Sequence, residues 1–355
     1  MYSKIIIYFL ILGLITFTKI NGADASNYTG KCNDLYLYFE SQGKTESFND
    51  CEINNKGEVT ILNLGYDLDI NLIANISKSV ETLRMGKSHT YHLTLTQEKI
   101  DILSKLINLK SLTLLSIEIN EELDFRKLKK LEVLDIEYLT INSLPKSIGG
   151  LEKLKKLILS CDDLTSLPDE IGNLKNLEKL DITINSITSL PESLGNLVNL
   201  KILYSEFNEI GNIPSSIGKL LKLEELYLYK NKITEIPKSI GNLEKLKFLE
   251  ISSNNLTSIP DEIGKLKNLE ELDISTNDIT NLPESIENLF NLKIFRSGLN
   301  SIINVPKNIG NLSKLKEFEI YINPVTELPK SFGNLKRITE LVLVHTKITK
   351  IPDIF

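Results

Sequence analysis

Histidines, cysteines and carboxylates are the groups of this 355-residue chain whose types and spacing could do chemistry. His89 and His92 stand three apart beside Tyr91, a spacing that can bring two imidazoles to one metal ion. A metal site needs further ligands from the same region, and none is marked out nearby. The pair is therefore expected to be two exposed histidines, and no metal site is expected. No Gly-rich phosphate loop, GxSxG elbow or HExxH motif occurs. Acidic side chains are many, yet none pairs off as an acid and a base. We expect no catalytic residue, no cofactor and no enzyme. Three cysteines allow three pairings; Cys32–Cys51, closing the segment before the first strand, is the expected one. Cys161 is left as a free thiol or, in the sharper alternative, an intermolecular partner.

The remaining groups recognise rather than react. Tyr204 and Phe207, then Tyr227 and Tyr229, then Phe248 recur in step, with Tyr204 and Tyr227 in equivalent positions. In the same registers fall Asp135, Glu137, Asp181, Glu206, Glu225, Glu250, Glu271, Asp273, Glu317, Glu319 and Glu340, against Lys156, Lys179, Lys230 and Arg296. A surface of this kind attracts a basic or amine-bearing ligand. Aromatics within a charged rim (here Glu206, Glu225, Lys230 and Glu250) are the makings of a hot spot. The expected contacts are Tyr204, Phe207, Tyr227, Tyr229 and Phe248, with Glu250, Glu271, Asp273, Glu317 and Glu319 selecting charge.

What aligns these residues is a period of 23. Pro145, Pro168, Pro191, Pro214, Pro237, Pro260, Pro283, Pro306, Pro329 and Pro352 sit on one lattice without insertion or deletion. Within each unit an LxxLxLxxNxL frame alternates, so Leu272 and Ile274 point inward while Glu271, Asp273 and Ser275 point outward. One such strand cannot bury its apolar side alone, but stacked parallel copies share a continuous core. Asn185, Asn208, Asn231, Asn254, Asn277, Asn300 and Asn323 form a column whose amides can satisfy the backbone where each turn leaves the strand. The frame departs at Leu139, Asp162 and Thr346, and Ser205 and Ser297 replace inward aliphatics, which marks local soft spots. The back half of each unit carries Pro where a missing N–H is harmless. It also carries Gly, from Gly149 to Gly333, where a tight turn is expected; Glu287 is the exception.

A 20–29-residue period with this frame is the signature of leucine-rich repeats. Over residues 131–352 the pattern LPxxIGNLxxLxxLxLxxNxIxxLP resembles the Ras-group repeats of plant intracellular and Ras-binding scaffold proteins. The resemblance implies an α/β solenoid, a horseshoe with a parallel concave sheet and short helices or 3₁₀ turns on the convex side. It carries over no binding residue, because the shared positions are structural. The run CEINNKGEVTILNL from Cys51 is similar to the cap-to-first-strand passage of secreted plant-type ectodomains, although it lacks their usual Trp.

The chain has 41 basic and 47 acidic residues, a net charge of −6 and no basic tract, so no nucleic-acid partner is expected. Lys4, an apolar run over residues 5–17 and Ala23-Asp24-Ala25 read as a signal peptide, residues 1–25. No second apolar span follows, so the mature protein is expected to be secreted, without a membrane span. The Ras-group relatives are cytoplasmic, so Ras-family GTPases are not expected as partners. Asn27, Asn75, Asn255 and Asn311 head sequons for glycosylation.

The expected division is a cap over residues 26–58, irregular repeats over 59–130, and ten regular repeats over 131–355, the last one incomplete. A helix capped by Thr96 is expected over residues 97–108, and about 13 parallel strands in all. No polar segment closes the array, so residues 340–344 with Ile348, Ile351, Ile354 and Phe355 are expected to leave an open edge. Such an edge implies self-association or a truncated member of a longer family. The functional expectation is a secreted, non-enzymatic recognition module for a protein or peptide ligand. The alternatives are a carbohydrate-binding wall or matrix protein and a self-associating adhesive or structural protein.

Overall fold

The computed structural model describes residues 31–41, 48–65, 78–86, 93–119, 122–138, 141–160 and 163–352. The proposed leader, Asn27, Asn75, His89, His92, Leu139, Cys161, Asp162, Ile354 and Phe355 lie outside the described residues.

Helix α1 (Lys31–Ser41) and strand β1 (Phe48–Ile53) build the cap. Cys32 and Cys51 are bonded across it, with Cα atoms 5.8 Å apart, as expected. Phe48 meets Tyr36 edge-on at 5.9 Å and Phe39 at 5.5 Å, so the bridge closes over an aromatic cluster. At the following turn the Asn54 side-chain carbonyl accepts the Lys56 and Glu58 amides, and Gly57 takes φ +74. The turn returns β1 antiparallel onto β2 (Val59–Leu64). Strand β1 was not anticipated. It covers the edge that β2 would otherwise leave open.

The irregular part contributes β3 (Thr82–Met85), the two-residue β4 (Leu93–Thr94), helix α2 (Gln97–Leu103), β5 (Ser111–Leu115) and β6 (Ile117–Glu118). Helix α2 is capped by Thr96, whose hydroxyl accepts the Lys99 amide at 3.4 Å. It ends at Leu103 rather than 108, because i→i+3 turns take over (Leu106 N to Leu103 O, 3.0 Å) and tuck Leu106 and Leu109 inward. The regular part adds β7 (Val133–Glu137), β8 (Lys156–Ser160), β9 (Lys179–Asp181), β10 (Ile202–Tyr204) and β11 (Glu225–Tyr227). It continues with β12 (Phe248–Glu250), β13 (Glu271–Asp273), β14 (Ile294–Arg296), β15 (Glu317–Glu319) and β16 (Glu340–Val342). One 14-stranded sheet results, with β4 and β6 forming a separate pair. Among the described strands of the large sheet only β1 runs antiparallel, which leaves thirteen parallel strands, close to the expected number, and β4 and β6 add a short parallel pair. The chain is a solenoid with 3₁₀ turns such as Asp169–Asn173 and Glu192–Asn196 on its convex side.

The inward pairs, from Leu134 and Ile136 to Leu272 and Ile274, are buried. Each such side chain contributes about 1.5–3 kcal/mol of transfer free energy. The asparagine column works as expected. Asn208 donates to the Ile182 carbonyl at 2.9 Å and accepts the Ile187 amide at 3.0 Å; Asn231 donates to Ser205 O and accepts from Ile210 N. Ser205 and Ser297 are not soft spots in the hydrogen-bond ladder. Both are buried, and their hydroxyls reach the Tyr227 and Glu319 carbonyls at 3.3 and 3.0 Å.

The glycine column has a different cause from the one expected. Among the described glycines only Gly57 and Gly86 have positive φ, and neither belongs to the column. On Gly218 a Cβ would lie 2.5 Å from the Ser239 carbonyl oxygen of the next repeat, so glycine is required by close stacking of the 3₁₀ turns. Where Glu287 stands instead, the next turn shrinks from five residues to three, Ile309–Asn311. The left-handed backbone belongs to another column: Tyr138, Ile184, Phe207, Lys230, Thr276, Ile322 and their equivalents have φ between 51 and 62. Branched Ile184, Thr276 and Ile322 are strained there, by about 1–3 kcal/mol each. Interstrand bonds such as Phe207 N to Tyr229 O (2.9 Å) hold the conformation.

Candidate ligand-binding face

Parallel register sets equivalent side chains of successive repeats about 4.8 Å apart. Tyr204 on β10 is therefore opposite Tyr227 on β11, and their rings stack with centroids 4.9 Å apart and planes 22° from parallel. Phe207 and Tyr229 meet edge-to-face at 5.1 Å. All four rings are half-buried, as is Phe248, which is in register with Glu225. Lysines already cover part of this cluster. Lys179 Nζ lies 4.6 Å from the Tyr204 centroid and 3.6 Å from the Asp181 carboxylate, and Lys230 Nζ lies 4.9 Å from the Phe207 centroid. The Tyr227 hydroxyl donates to Glu225 at 3.3 Å. Burial, and then the Glu225 charge, pushes both the Tyr204 and Tyr227 phenols up.

Two groups of acids are placed differently from the simple outward row. Glu206, expected on the rim, is only 3% exposed. Burial pushes its carboxyl up to about 7. Thr183 Oγ1 lies 2.7 Å from Asp181 Oδ1 and 3.2 Å from Glu206 Oε2. A hydroxyl has one proton to give, so when Asp181 accepts it, the second contact is a hydrogen bond only if Glu206 is protonated and donates. Further along, Glu271, Glu317 and Glu319 converge on Arg296, whose Nε is 2.7 Å from Glu317 and 3.6 Å from Glu319. Burial works against the guanidinium charge, but Glu271 and Glu317 outweigh it and push the pKa up. Burial and the neighbouring Glu317 carry Glu319 up to about 7, against the pull of Arg296. Glu250 and Asp273 lie between the tyrosine stack and this cluster.

Asp135 on β7 takes its expected place on the face but is pushed up to about 7 by burial and then by Glu137; its Oδ1 has no hydrogen-bond partner among the described residues. One residue of the face was missed. Tyr321 follows Tyr229 by four periods of the lattice, so counting by 23 would have found it. It is half-buried, and a side chain at Gly298, just past β14 in the preceding repeat, would collide with its ring. The described residues contain no cluster of metal-ligating side chains and no helix long and apolar enough to cross a membrane. Asn255 and Asn311 are exposed.

The ladder of inward leucines, the asparagine column and the parallel concave sheet backed by 3₁₀ turns define a leucine-rich repeat solenoid. A family profile described as "Leucine-rich repeat region" matches residues 69–186, 154–236 and 236–323, and this chain belongs to that family. The family is typically non-enzymatic. A leucine-rich repeat protein of Leptospira interrogans is 29% identical with a TM-score of 0.67, over 84% of this chain and 83% of that one. The plant peptide hormone receptor RGFR1, solved in complex with RGF2, is 25% identical with a TM-score of 0.63. That match covers 84% of this chain but only 60% of the receptor chain. An internalin, InlF, of Listeria monocytogenes shares the fold at 19% identity and a TM-score of 0.65, over 90% and 95% of the two chains. No curated protein matches the chain in sequence.

Proposed function

We propose that the chain is an extracellular, non-enzymatic recognition module that binds a protein or peptide ligand on its concave face. The observation that carries this reading is the half-exposed aromatic cluster, Tyr204 stacked on Tyr227 and Phe207 against Tyr229, set among carboxylates. Rigid aromatics at the centre of a charged surface supply most of the energy in protein interfaces. The similarity to a receptor solved with a peptide hormone supports a peptide ligand. The Cys32–Cys51 bridge supports an oxidising compartment and, with it, removal of a leader over 1–25. The division that goes with this reading is a cap over 26–58, irregular repeats over 59–130 and regular ones over 131–355. In that compartment Asn255 and Asn311 are accessible to glycosylation.

The test is selection of a displayed random-peptide library on the purified chain, followed by the triple variant Tyr204→Ala, Tyr227→Ala, Tyr229→Ala. Affinity is expected to fall by at least about 100-fold, since each hot-spot ring contributes about 2 kcal/mol. Peptides that bind the variant unchanged move the site elsewhere. The same rings, with carboxylates beside them, also fit a sugar ring. A glycan-array signal lost in the triple variant, with no peptide selected, would replace the peptide by a carbohydrate.

A further inference from the structure

Around the Tyr204–Tyr227 stack the concave face is nearly symmetric in its carboxylates and asymmetric at the positions beside them, Lys179 on β9 and Phe248 on β12. Strand β9 sets Asp181 opposite Tyr204, and β12 sets Glu250 opposite Tyr227. On the β9 side, Lys179 lies over the outer face of Tyr204 and beside Asp181. The ring face and the carboxylate together hold an ammonium. Rings stacked almost parallel across adjacent strands lie face to face along the solenoid axis, so the second face of Tyr227 is turned toward β12. There the position equivalent to Lys179 is Phe248, which has no charge to offer. Behind Glu250 stands Asp273, whose carboxylate accepts the Ser275 amide at 2.9 Å. Arg296, in register with Asp273 on its far side, is engaged by Glu271, Glu317 and Glu319.

We propose that the space over Tyr227, bounded by Phe248, Glu250 and Asp273, is a seat for a cationic side chain of the ligand, a guanidinium or a primary ammonium. The proposal rests on the concave-face reading and deepens it by naming what the ligand must carry. A cation there meets an aromatic face and carboxylates in the arrangement Lys179 adopts one ring away, while its apolar stem lies along Phe248. Selectivity for charge then comes from these few groups and not from the acidic row as a whole.

The experiment uses two probes, acetyl-Gly-Gly-Arg-Gly-Gly-amide and the same peptide with citrulline for arginine, titrated into the full chain with ring-labelled tyrosines and followed by NMR. The arginine peptide is expected to shift the Tyr227 ring signals and to bind at least about tenfold more tightly than the citrulline peptide. Asp273→Asn is expected to remove most of that difference, while Tyr227→Phe, which keeps the ring face, preserves it. Phe248→Lys supplies the missing lysine from within and is expected to abolish binding of the arginine probe, with an unchanged circular dichroism spectrum as the folding control. Equal binding of the two peptides overturns the seat. So does no shift of Tyr227 at any accessible concentration, or unaltered binding to Phe248→Lys. Library peptides that need the three tyrosines but carry no Lys or Arg, and ignore Phe248→Lys, overturn the seat and leave the concave face standing. Peptides indifferent to the tyrosines overturn both.

Discussion

Replacing Asn231 by alanine measures what the asparagine column contributes to this solenoid. The Asn231 amide donates to Ser205 O at 2.9 Å and Leu228 O at 3.1 Å, and its carbonyl accepts the Ile210 amide at 3.0 Å. In Asn231→Ala the two carbonyls each keep a second donor, Asn208 Nδ2 at 3.2 Å and Asn254 Nδ2 at 2.9 Å. The Ile210 amide keeps none, in a place where Ile210 is fully buried. An orphaned buried amide costs about 1–3 kcal/mol, and the lost packing adds about another 1. The expected destabilisation is about 3 kcal/mol. Because each repeat contacts only its neighbours, the damage stays local to the repeats on either side. Urea unfolding followed by circular dichroism reads the total, and hydrogen exchange reads the place: the Ile210 amide loses protection while those of the cap strands do not. If Ile210 stays protected and stability moves by less than about 0.5 kcal/mol, the amide is not what fastens one coil to the next.

The buried carboxylate gives a pH dependence of definite sign. Glu206 has its folded pKa raised to about 7 from 4.5, so the folded chain holds an extra proton between those values; stability is greatest below about 4.5 and falls as pH rises through 7. Glu206→Gln, which still donates to Thr183, is expected to raise the melting temperature at pH 8 and flatten that slope; a slope unchanged by the substitution assigns it to another group. Glu287→Gly restores the column and removes a buried carboxylate oxygen with no partner among the described residues. Thermal unfolding is expected to show a gain of about 1 kcal/mol, after the backbone-entropy cost of glycine is subtracted. Opening the Cys32–Cys51 loop with paired serines is expected to cost about 2–4 kcal/mol and to raise exchange first in β1 and β2, and a chain whose unfolding ignores reductant would refute this.

Side-chain periodicity acted as a contact map wherever neighbours were copies of one another. Knowing that Tyr204 and Tyr227 share a column is enough to stack them, and the same holds for the asparagines and the inward leucines. Strand β1 and the shortened α2 escaped, because each lies where the metre fails and a single copy has no equivalent to be compared with. The glycine column was legible as a position but not as a cause: sequence shows that a side chain is missing, and only the distance to the Ser239 carbonyl distinguishes close stacking from a left-handed turn.

Charge was the least legible property of the face, for a physical reason. Glu206 and Glu250 are both outward acids flanking the tyrosine stack in sequence terms, yet one is buried against Thr183 while the other remains half-exposed. What separates them is lateral. Glu206 occupies the strand exit, where the backbone bends into the left-handed residue Phe207 and the ring of Tyr229 closes over Phe207, whereas Glu250 stands on the open strand. Ion pairing is decided in the same lateral direction, since Arg296 draws acids from β13 and β15 as well as facing them. A linear count of eleven acids against four bases therefore describes the field at a distance, which steers a ligand in. What stays bound is decided beside the tyrosine stack itself, where the strands supply Lys179 on the β9 side and place Phe248 at the mirrored position on β12.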